Sequence, residues 1–147
     1  MDPGRDKIGF AAVMGDKSLL FSGILPAQES DVLERALRRE GNIRDIFSPW
    51  LRECVDFGTE ELELSLIVVG NGTCSGPLID RVRQYALCEV LCVDERGTTL
   101  EARKRYWCLH HPSWWQRVLP RGMRVPPRVL DDLAAWVIAE RGIDKAG

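Results

Sequence analysis

Apolar residues near the start of the chain fall into two short runs, at positions 8–14 and 18–25. A polar segment, Gly15-Asp16-Lys17, separates the two runs. Strand-length apolar runs joined by a few turn-forming residues are typical of a β-hairpin, because glycine and aspartate accept the backbone angles of a tight turn. The pattern therefore predicts two antiparallel strands in this part of the chain.

The pattern then changes to a helical one. Apolar residues over 29–39 recur three and four positions apart, which predicts a helix with Ser30 as its N-cap and Gly41 beyond its end. The positions that would face the core are Val32, Leu33, Ala36 and Leu37. A second helical stretch is predicted over 43–55, interrupted at Pro49 because proline lacks the amide hydrogen that a helix interior uses.

The second half of the chain alternates strands and helices. A continuous apolar run at 64–69 predicts a buried parallel strand, and 89–93 predicts another short strand. Helices are predicted over 75–87, over 98–109 with Thr98 as the cap, and over 127–141. This order is typical of an α/β protein with a mixed sheet and helices over its faces.

Size and composition predict a single domain covering 1–147. The chain has 147 residues, of which 45% are hydrophobic and 29% charged, as in ordinary globular proteins. The apolar runs are too short to cross a bilayer and the start has no signal-peptide pattern, so the expected location is the cytoplasm, away from membranes. The five cysteines form no CxxC pair, which favours reduced, mostly buried thiols over a zinc site.

Charge is distributed unevenly, although the net charge is only −2. The stretch 102–130 contains no Asp or Glu, and 111–128 within it is predicted to be a loop rich in proline, tryptophan and arginine. The basic residues of this stretch are Arg103, Lys104, Arg105, Arg117, Arg121, Arg124 and Arg128. Such a stripe suits a protein that holds phosphates at one face, but an ordinary solvated loop explains it equally well.

Two neighbouring tryptophans lie in the same loop. Beside Arg117 and Arg121, the rings of Trp114 and Trp115 could stack on exposed bases. Burial of at least one of them in the core is the favoured interpretation from residue type alone. His110 and His111 precede this loop, and a place at the end of a helix is expected for them rather than proton transfer.

Carboxylates stand at the ends of several predicted elements. Asp2 precedes the hairpin, Glu95 follows the strand at 89–93, and Asp131 and Asp132 begin the last helix. Acids at neighbouring strand ends converge on one edge of an α/β sheet, where they could hold Mg²⁺ or Mn²⁺ for phosphodiester hydrolysis. A mobile terminus, a loop charge and a helix cap are the alternative explanations for these acids.

A glycine-containing loop follows the strand at 64–69. Gly70-Asn71-Gly72-Thr73 could cradle a phosphate through its backbone amides, or simply form a tight turn from strand to helix. The loop lacks the lysine of a nucleotide-hydrolysing phosphate loop, so that type of reaction is not expected.

Four motifs in this sequence resemble those of the RuvC-like and YqgF-like nucleases. DPGRDKIGFA at 2–11 is similar to the opening DPG(S/R)xxxGxA motif of that group, and VVGNGT at 68–73 resembles its next strand and loop. VDERGTTLEA at 93–102 is similar to its DERx(S/T)TxEA motif, and LDDLAA at 130–135 resembles its closing D(S/D)xAA helix. The motifs occur in the same order and span nearly the whole chain.

The resemblance implies a ribonuclease H-like mixed sheet flanked by helices, in which Asp2, Glu95 and Asp131 are the catalytic, metal-binding acids and Asp132 is a further metal ligand. It implies a divalent-metal-dependent nuclease for structured nucleic acid, either precursor ribosomal RNA or branched DNA, with Mg²⁺ or Mn²⁺ as cofactor. Residues predicted to contact nucleic acid are Arg103, Arg105, Trp114, Trp115, Arg117, Arg121 and Arg124. A homodimer would suit a two-fold symmetric junction.

One departure from the resemblance favours a second hypothesis. In the family a full central strand precedes the first acid, whereas only Met1 precedes Asp2 here, so either the given start misses several residues or the strand is truncated. Without it, Asp2 would be mobile and metal binding weak. The alternative function is therefore a nucleic-acid-binding or scaffold module that keeps the fold and lacks catalysis.

Overall fold

The computed structural model describes residues 1–55 and 62–147, with the side chain of Arg121 excepted. Within these ranges four strands form an antiparallel sheet in the spatial order β1-β2-β3-β4. Their bounds are Asp2–Pro3 for β1, Lys7–Val13 for β2, Leu19–Pro26 for β3 and Leu51–Cys54 for β4. Two further strands, β5 at Leu66–Gly70 and β6 at Glu89–Val93, pair in parallel. The chain is thus of the mixed α/β class, as the pattern predicted.

The two sheets meet at the start of the chain. The Met1 amine donates a hydrogen bond to the Val68 carbonyl at 2.6 Å, and the Gly70 amide donates to the Met1 carbonyl at 3.0 Å. On its other side β1 pairs with β2, placing Asp2 opposite Gly9. The first strand therefore lies between the hairpin and β5, and Asp2 is held within the sheet rather than at a mobile end.

Helices cover both faces of the sheet. They are α1 at Ser30–Leu37, α2 at Ile43–Phe47, α3 at Ser75–Tyr85, α4 at Thr98–Leu109, α5 at Trp114–Val118 and α6 at Asp131–Ala146. Single 3₁₀ turns occupy Ser48–Trp50 and Arg121–Met123. In the part of the chain that the structure describes, no helix combines the length and apolar character needed to cross a membrane.

Alternation along β2 determines which helices pack on which face. Ile8 and Phe10 are buried in the main hydrophobic cluster with residues of α1 and α2, and the Phe10 ring stacks on Phe47 with 4.3 Å between ring centroids. Gly9 lies between them in sequence and faces α6. Successive side chains of a strand point to opposite faces, so one strand serves both layers.

Two glycines allow α6 to lie close to the sheet. A Cβ atom at Gly9 would overlap the backbone carbonyl of Asp131, and one at Gly142 would overlap the Val68 side chain. These contacts occur at opposite ends of α6, and they hold the helix start beside β1 and β2. The backbone of Asp131 is therefore held in place by its close contact with Gly9.

Most predicted elements are confirmed, but one stretch is wrong. The hairpin, α1 and the parallel strand β5 are present, and β6 and α4 have the predicted bounds. The helix predicted over 43–55 instead ends at Phe47, and its last part is β4, paired with β3. Leu51 and Glu53 in β4 are half-buried while Arg52 and Cys54 are exposed, which is the alternation of an edge strand.

Other corrections concern helix ends and the 111–128 loop. Ser30 is the first residue of α1 rather than its cap, and Thr98 begins α4 after Gly97, a residue with φ of 76°. The predicted loop contains α5, which starts with a reciprocal capping box between Ser113 and Gln116. The final helix begins at Asp131 rather than at 127 and continues to Ala146.

Candidate active site

Three of the predicted acids come from three different elements and meet at one edge of the sheet. Asp2 lies in β1 opposite Gly9, and Asp131 begins α6 directly against Gly9. On the other side of β1, Gly70 lies close to both Pro3 and the carboxylate of Glu95. Asp2 thus stands between Glu95 and Asp131.

The Glu95 carboxylate is seated against the glycine loop that follows β5. A Cβ atom at Gly70 would lie 2.7 Å from Glu95 Oε2, and one at Gly72 would overlap Glu95 Oε1. The Glu95 carbonyl accepts hydrogen bonds from the Thr98 amide at 3.1 Å and the Thr98 hydroxyl at 2.8 Å. The glycines therefore make room for a carboxylate, a role different from the phosphate cradle considered from the sequence.

One oxygen of this group is buried without a hydrogen-bond donor, and another is held by a lysine. Among the described residues, Glu95 Oε2 has no hydrogen-bond partner. Asp131 Oδ2 lies 2.6 Å from Lys7 Nζ, its ion-pair partner. Burying a carboxylate oxygen without a donor is costly, and a cation bound at Glu95 Oε2 would offset that cost.

The surroundings of Asp2 disfavour its ionised form. Burial raises the pKa of Asp2 to about 6, and the neighbouring Glu95 and Asp131 carboxylates add to that rise. The N-terminal amine and Lys7 act in the opposite direction without reversing the shift. Negative charge is thus in excess at this edge of the sheet, which is the electrostatic condition for binding a cation.

The pKa of Asp2 predicts how stability depends on pH in the absence of metal. Between its ordinary value of 3.8 and about 6, folded Asp2 keeps a proton that the unfolded chain has released. Because the folded state then binds more protons, the free energy of unfolding falls as pH rises through this window. We expect Asp2→Asn to lose this decline and to unfold at a higher temperature than the wild type at pH 8.

Thermal unfolding in EDTA between pH 3.5 and 8 would measure this effect. The wild type and Asp2→Asn should have similar unfolding temperatures near pH 3.5, and these temperatures should diverge above pH 4. Parallel curves over the whole range would mean that Asp2 titrates as an ordinary solvated carboxylate.

Asp132 does not join the other acids. Its carboxylate is fully buried, accepts a hydrogen bond from the Ser22 hydroxyl at 2.9 Å and pairs with Arg128 at 2.7 Å. Successive residues of a helix point about 100° apart, so Asp131 and Asp132 face different surroundings. The prediction that Asp132 is a metal ligand is corrected accordingly: its oxygens are used within the protein.

Arg128 is the centre of a charged network beneath this helix. Besides Asp132, its guanidinium contacts Glu53 at 2.5 Å, and Glu53 in turn lies 2.7 Å from His110 Nε2. His110 is the C-cap residue of α4, which agrees with the helix-end position expected for it. The network ties α4 and α6 to the edge strand β4.

The predicted nucleic-acid residues are divided between structural and exposed positions. Arg105 is bound to Glu140 at 2.6 Å and lies over Trp136, so it faces α6 rather than the surface stripe. Arg124 donates to the carbonyls of Leu119 and Arg117, each at 3.0 Å, and so holds the loop together. These two arginines have internal partners, and their contact with nucleic acid stays a prediction.

The remaining members are exposed on the surface. Arg103, Lys104 and Arg117 are exposed, and the Arg117 Nε donates to the Pro112 carbonyl at 3.2 Å. Trp114 is 81% and Trp115 54% exposed, so neither ring enters the core and the favoured burial interpretation is wrong. The side chain of Arg121 lies outside the described part of the structure. Exposed aromatic rings beside exposed cations form a surface that can contact bases and phosphates.

Metal-binding geometry is not preformed. Among the described residues, no three His, Cys, Asp or Glu side chains already surround a single point where an ion could sit. The five cysteines are free thiols, but the expectation that most are buried is wrong: Cys88 and Cys92 are half-buried and the other three are exposed. The acids at the sheet edge offer hard oxygen donors, which match Mg²⁺ or Mn²⁺ better than zinc.

Sequence reasoning missed Lys7. It begins β2, on the strand that pairs with Asp2, and its ammonium partly neutralises the acid group. The available signal was the position of Lys7, five residues after Asp2 and at the start of an apolar run. The register of the hairpin places Lys7 at the same edge of the sheet as Asp2.

No protein-family model matches the chain, and comparisons with curated proteins and with solved structures also gave no match. The resemblance of the four motifs therefore stays a prediction, and the geometry of the site carries the functional argument.

Proposed function

We propose that this protein is a divalent-metal-dependent nuclease that hydrolyses phosphodiester bonds in structured nucleic acid. The observation that carries the proposal is the meeting of Asp2, Glu95 and Asp131 at one edge of the sheet, with Glu95 Oε2 buried and without a donor. Carboxylates that lie close together repel one another, and a bound metal cation would offset that repulsion.

The arrangement of strands supports a ribonuclease H-like fold as part of the proposal. A short first strand carrying Asp2 lies between an antiparallel hairpin and a parallel pair. The second acid follows β6 and the third begins the last helix, which is the order that the motif resemblance implies. Ligands commonly bind at such an edge of an α/β sheet.

The residues present fit one or two Mg²⁺ or Mn²⁺ ions by donor type. Asp2, Glu95 and Asp131 would hold them, and Lys7 would have to leave Asp131 for its oxygens to turn inward. When bound, such ions supply an activated water and stabilise the leaving oxygen during phosphodiester hydrolysis. The chain's own contributions are to position the carboxylates and to hold Glu95 away from bulk water through the glycine loop.

The substrate would be held by exposed residues of the stretch 102–130, which contains no Asp or Glu. Exposed Arg103, Lys104 and Arg117 are placed to contact phosphates, and Trp114 and Trp115 offer stacking surfaces. Both precursor-type RNA and branched DNA remain candidate substrates, because phosphate contacts and stacking do not distinguish them.

The test is cleavage of labelled four-way DNA junctions and precursor-type RNA with Mg²⁺, with Mn²⁺ or with EDTA. We expect cleavage that requires a metal, is lost in Glu95→Gln and leaves binding intact. Glu89→Gln is the matched control, because Glu89 is an exposed acid at the opposite end of the same strand, and it should cut normally. Absence of cleavage for both substrates in both metals would reject the proposal.

A specific observation favours a second candidate, a nucleic-acid-binding module without catalysis. Lys7 already occupies the position beside Asp131 where a cation would act, and the described acids do not surround one point. In that case Glu95→Gln would change neither binding nor any activity, and Mg²⁺ would not raise the unfolding temperature of the wild type.

A further inference from the structure

A groove lies between α4 and the segment that follows it, apart from the acid group. It encloses about 610 Å³. One wall comes from α4, and the other from residues on both sides of α5. Binding pockets for small molecules commonly fall within a few hundred to about 1,000 Å³, so the groove is large enough for a base with its sugar and phosphate.

The lining of the groove combines apolar surface with positive charge. Leu100, Trp107 and Pro112 give it apolar and aromatic surface, and Arg103, Lys104 and Arg124 place three cations around it. Leu100 is 61% exposed, so its side chain is accessible to a ligand in the groove. A ligand that suits this lining has a flat apolar part and a negative group.

The groove is held in shape by internal bonds. The Trp107 indole N–H donates to the Arg124 carbonyl at 3.3 Å, which fixes the ring relative to the opposite wall. The Arg124 guanidinium is bound to two loop carbonyls, so its charge is held in place rather than mobile. A preformed cleft loses little conformational entropy when a ligand enters it.

Its position relates the groove to the acid group. Helix α4 begins three residues after Glu95, and the groove residues Leu100 to Trp107 lie about 3 to 14 Å along its axis. At roughly 3.4 Å per nucleotide, this distance from the start of α4 corresponds to one to four nucleotides. A strand cut at the acids could therefore reach the groove with a nearby residue.

We propose that this groove holds one unpaired nucleotide of the substrate, with its base against Trp107 and Leu100 and its phosphate between Arg103 and Lys104. The proposal deepens the proposed function and rests on nucleic acid being the partner. A base within an intact duplex cannot enter, because both of its faces are stacked. The groove therefore selects nucleic acid with a bulged, flapped or otherwise unpaired residue close to the cut.

The experiment compares a labelled DNA duplex with the same duplex carrying one extra unpaired nucleotide, by fluorescence anisotropy in EDTA. We expect the protein to bind the second about tenfold more tightly, since stacking one base on an aromatic ring has that effect. Leu100→Ser should lower this preference about threefold without affecting the fold, because the side chain is exposed. Arg103→Gln/Lys104→Gln should weaken binding of both probes and lower the preference.

The matched control is Arg35→Gln/Arg52→Gln, which removes the same charge at exposed positions on α1 and β4. It should keep the preference of the wild type. Equal binding of the two probes, or a preference that survives both groove variants, would overturn the proposal. The proposal would also be overturned if an acidic aromatic peptide binds through the groove residues and the unpaired nucleotide gives no preference. That result would assign the groove to a protein partner.

Binding in EDTA is independent of cleavage, so the two proposals can fail separately. A chain that cuts but shows no preference leaves the nuclease proposal standing and rejects the groove. If the protein prefers the unpaired nucleotide but never cuts, the groove proposal stands and the nuclease proposal is rejected.

Discussion

Gly72→Ala is expected to reduce metal-dependent cleavage about 100- to 1,000-fold while the protein remains folded. An added Cβ atom would occupy the position of the Glu95 carboxylate, and its nearest neighbours are all atoms of that carboxylate. The end of a flexible side chain can move away, so the clash displaces Glu95 rather than the backbone. Loss of a metal ligand removes several kcal/mol of transition-state stabilisation, which corresponds to that range of rates.

Gly76→Ala is the matched control for this substitution. Gly76 lies four residues further on, in α3, and a Cβ atom there would meet nothing within 4 Å. It should leave cleavage unchanged and stabilise the helix by at most about 1 kcal/mol. Cleavage rates and thermal unfolding, measured on both variants, separate displacement of Glu95 from loss of the fold.

A double variant checks the mechanism. If Gly72→Ala acts only by moving Glu95, then adding it to Glu95→Gln should cause no further loss, because the interaction is already gone. Wild-type cleavage by Gly72→Ala would show that the position of the Glu95 carboxylate does not matter for the reaction.

Arg128→Met is expected to lower the free energy of unfolding by about 3 to 5 kcal/mol. Asp132 is fully buried, and Arg128 supplies its charge partner at 2.7 Å. Of the contacts that Asp132 makes with Arg128 and Ser22, only the hydrogen bond from the Ser22 hydroxyl would remain once the guanidinium is removed. Removing one member of a buried ion pair costs this much because the other charge stays buried and uncompensated.

Urea denaturation of this variant should be compared with that of Arg103→Met, which removes an exposed arginine. The exposed change should alter the free energy of unfolding by no more than about 0.5 kcal/mol. Adding Asp132→Asn to Arg128→Met should recover at least half of the loss, since the amide keeps a bond to Ser22 without the charge. Equal effects of Arg128→Met and Arg103→Met would mean that the buried pair makes no net contribution.

Local pattern was sufficient for most elements. The hairpin depends on two apolar runs and a short polar turn, and helix α1 on apolar residues three and four positions apart. Strand β6 is a short apolar run, and helix α4 begins at Thr98, directly after Gly97, and ends before Pro112, so both appear with the predicted bounds. These signals act within a few residues, so a single sequence contains them.

Elements that depend on distant partners were not recovered. Strand β4 forms because it pairs with β3, about thirty residues away, and no local signal separates Leu51–Cys54 from the helix before it. Helix α5 did carry a local signal, the Ser113–Gln116 capping box, but the surrounding prolines and glycines outweighed it. The exposure of Trp114 and Trp115 likewise follows from how the loop packs, not from the residue type.

For the site, the sequence alone determined which acids stand at the ends of elements and therefore at one edge of an α/β sheet. Tertiary structure decided which of them meet. Asp131 and Asp132 are equivalent in sequence, yet helix geometry turns one towards Asp2 and the other into a buried pair with Arg128. Lys7 and the glycines that seat Glu95 joined the site only when separate strands came side by side, since such contacts depend on packing between residues far apart in the chain.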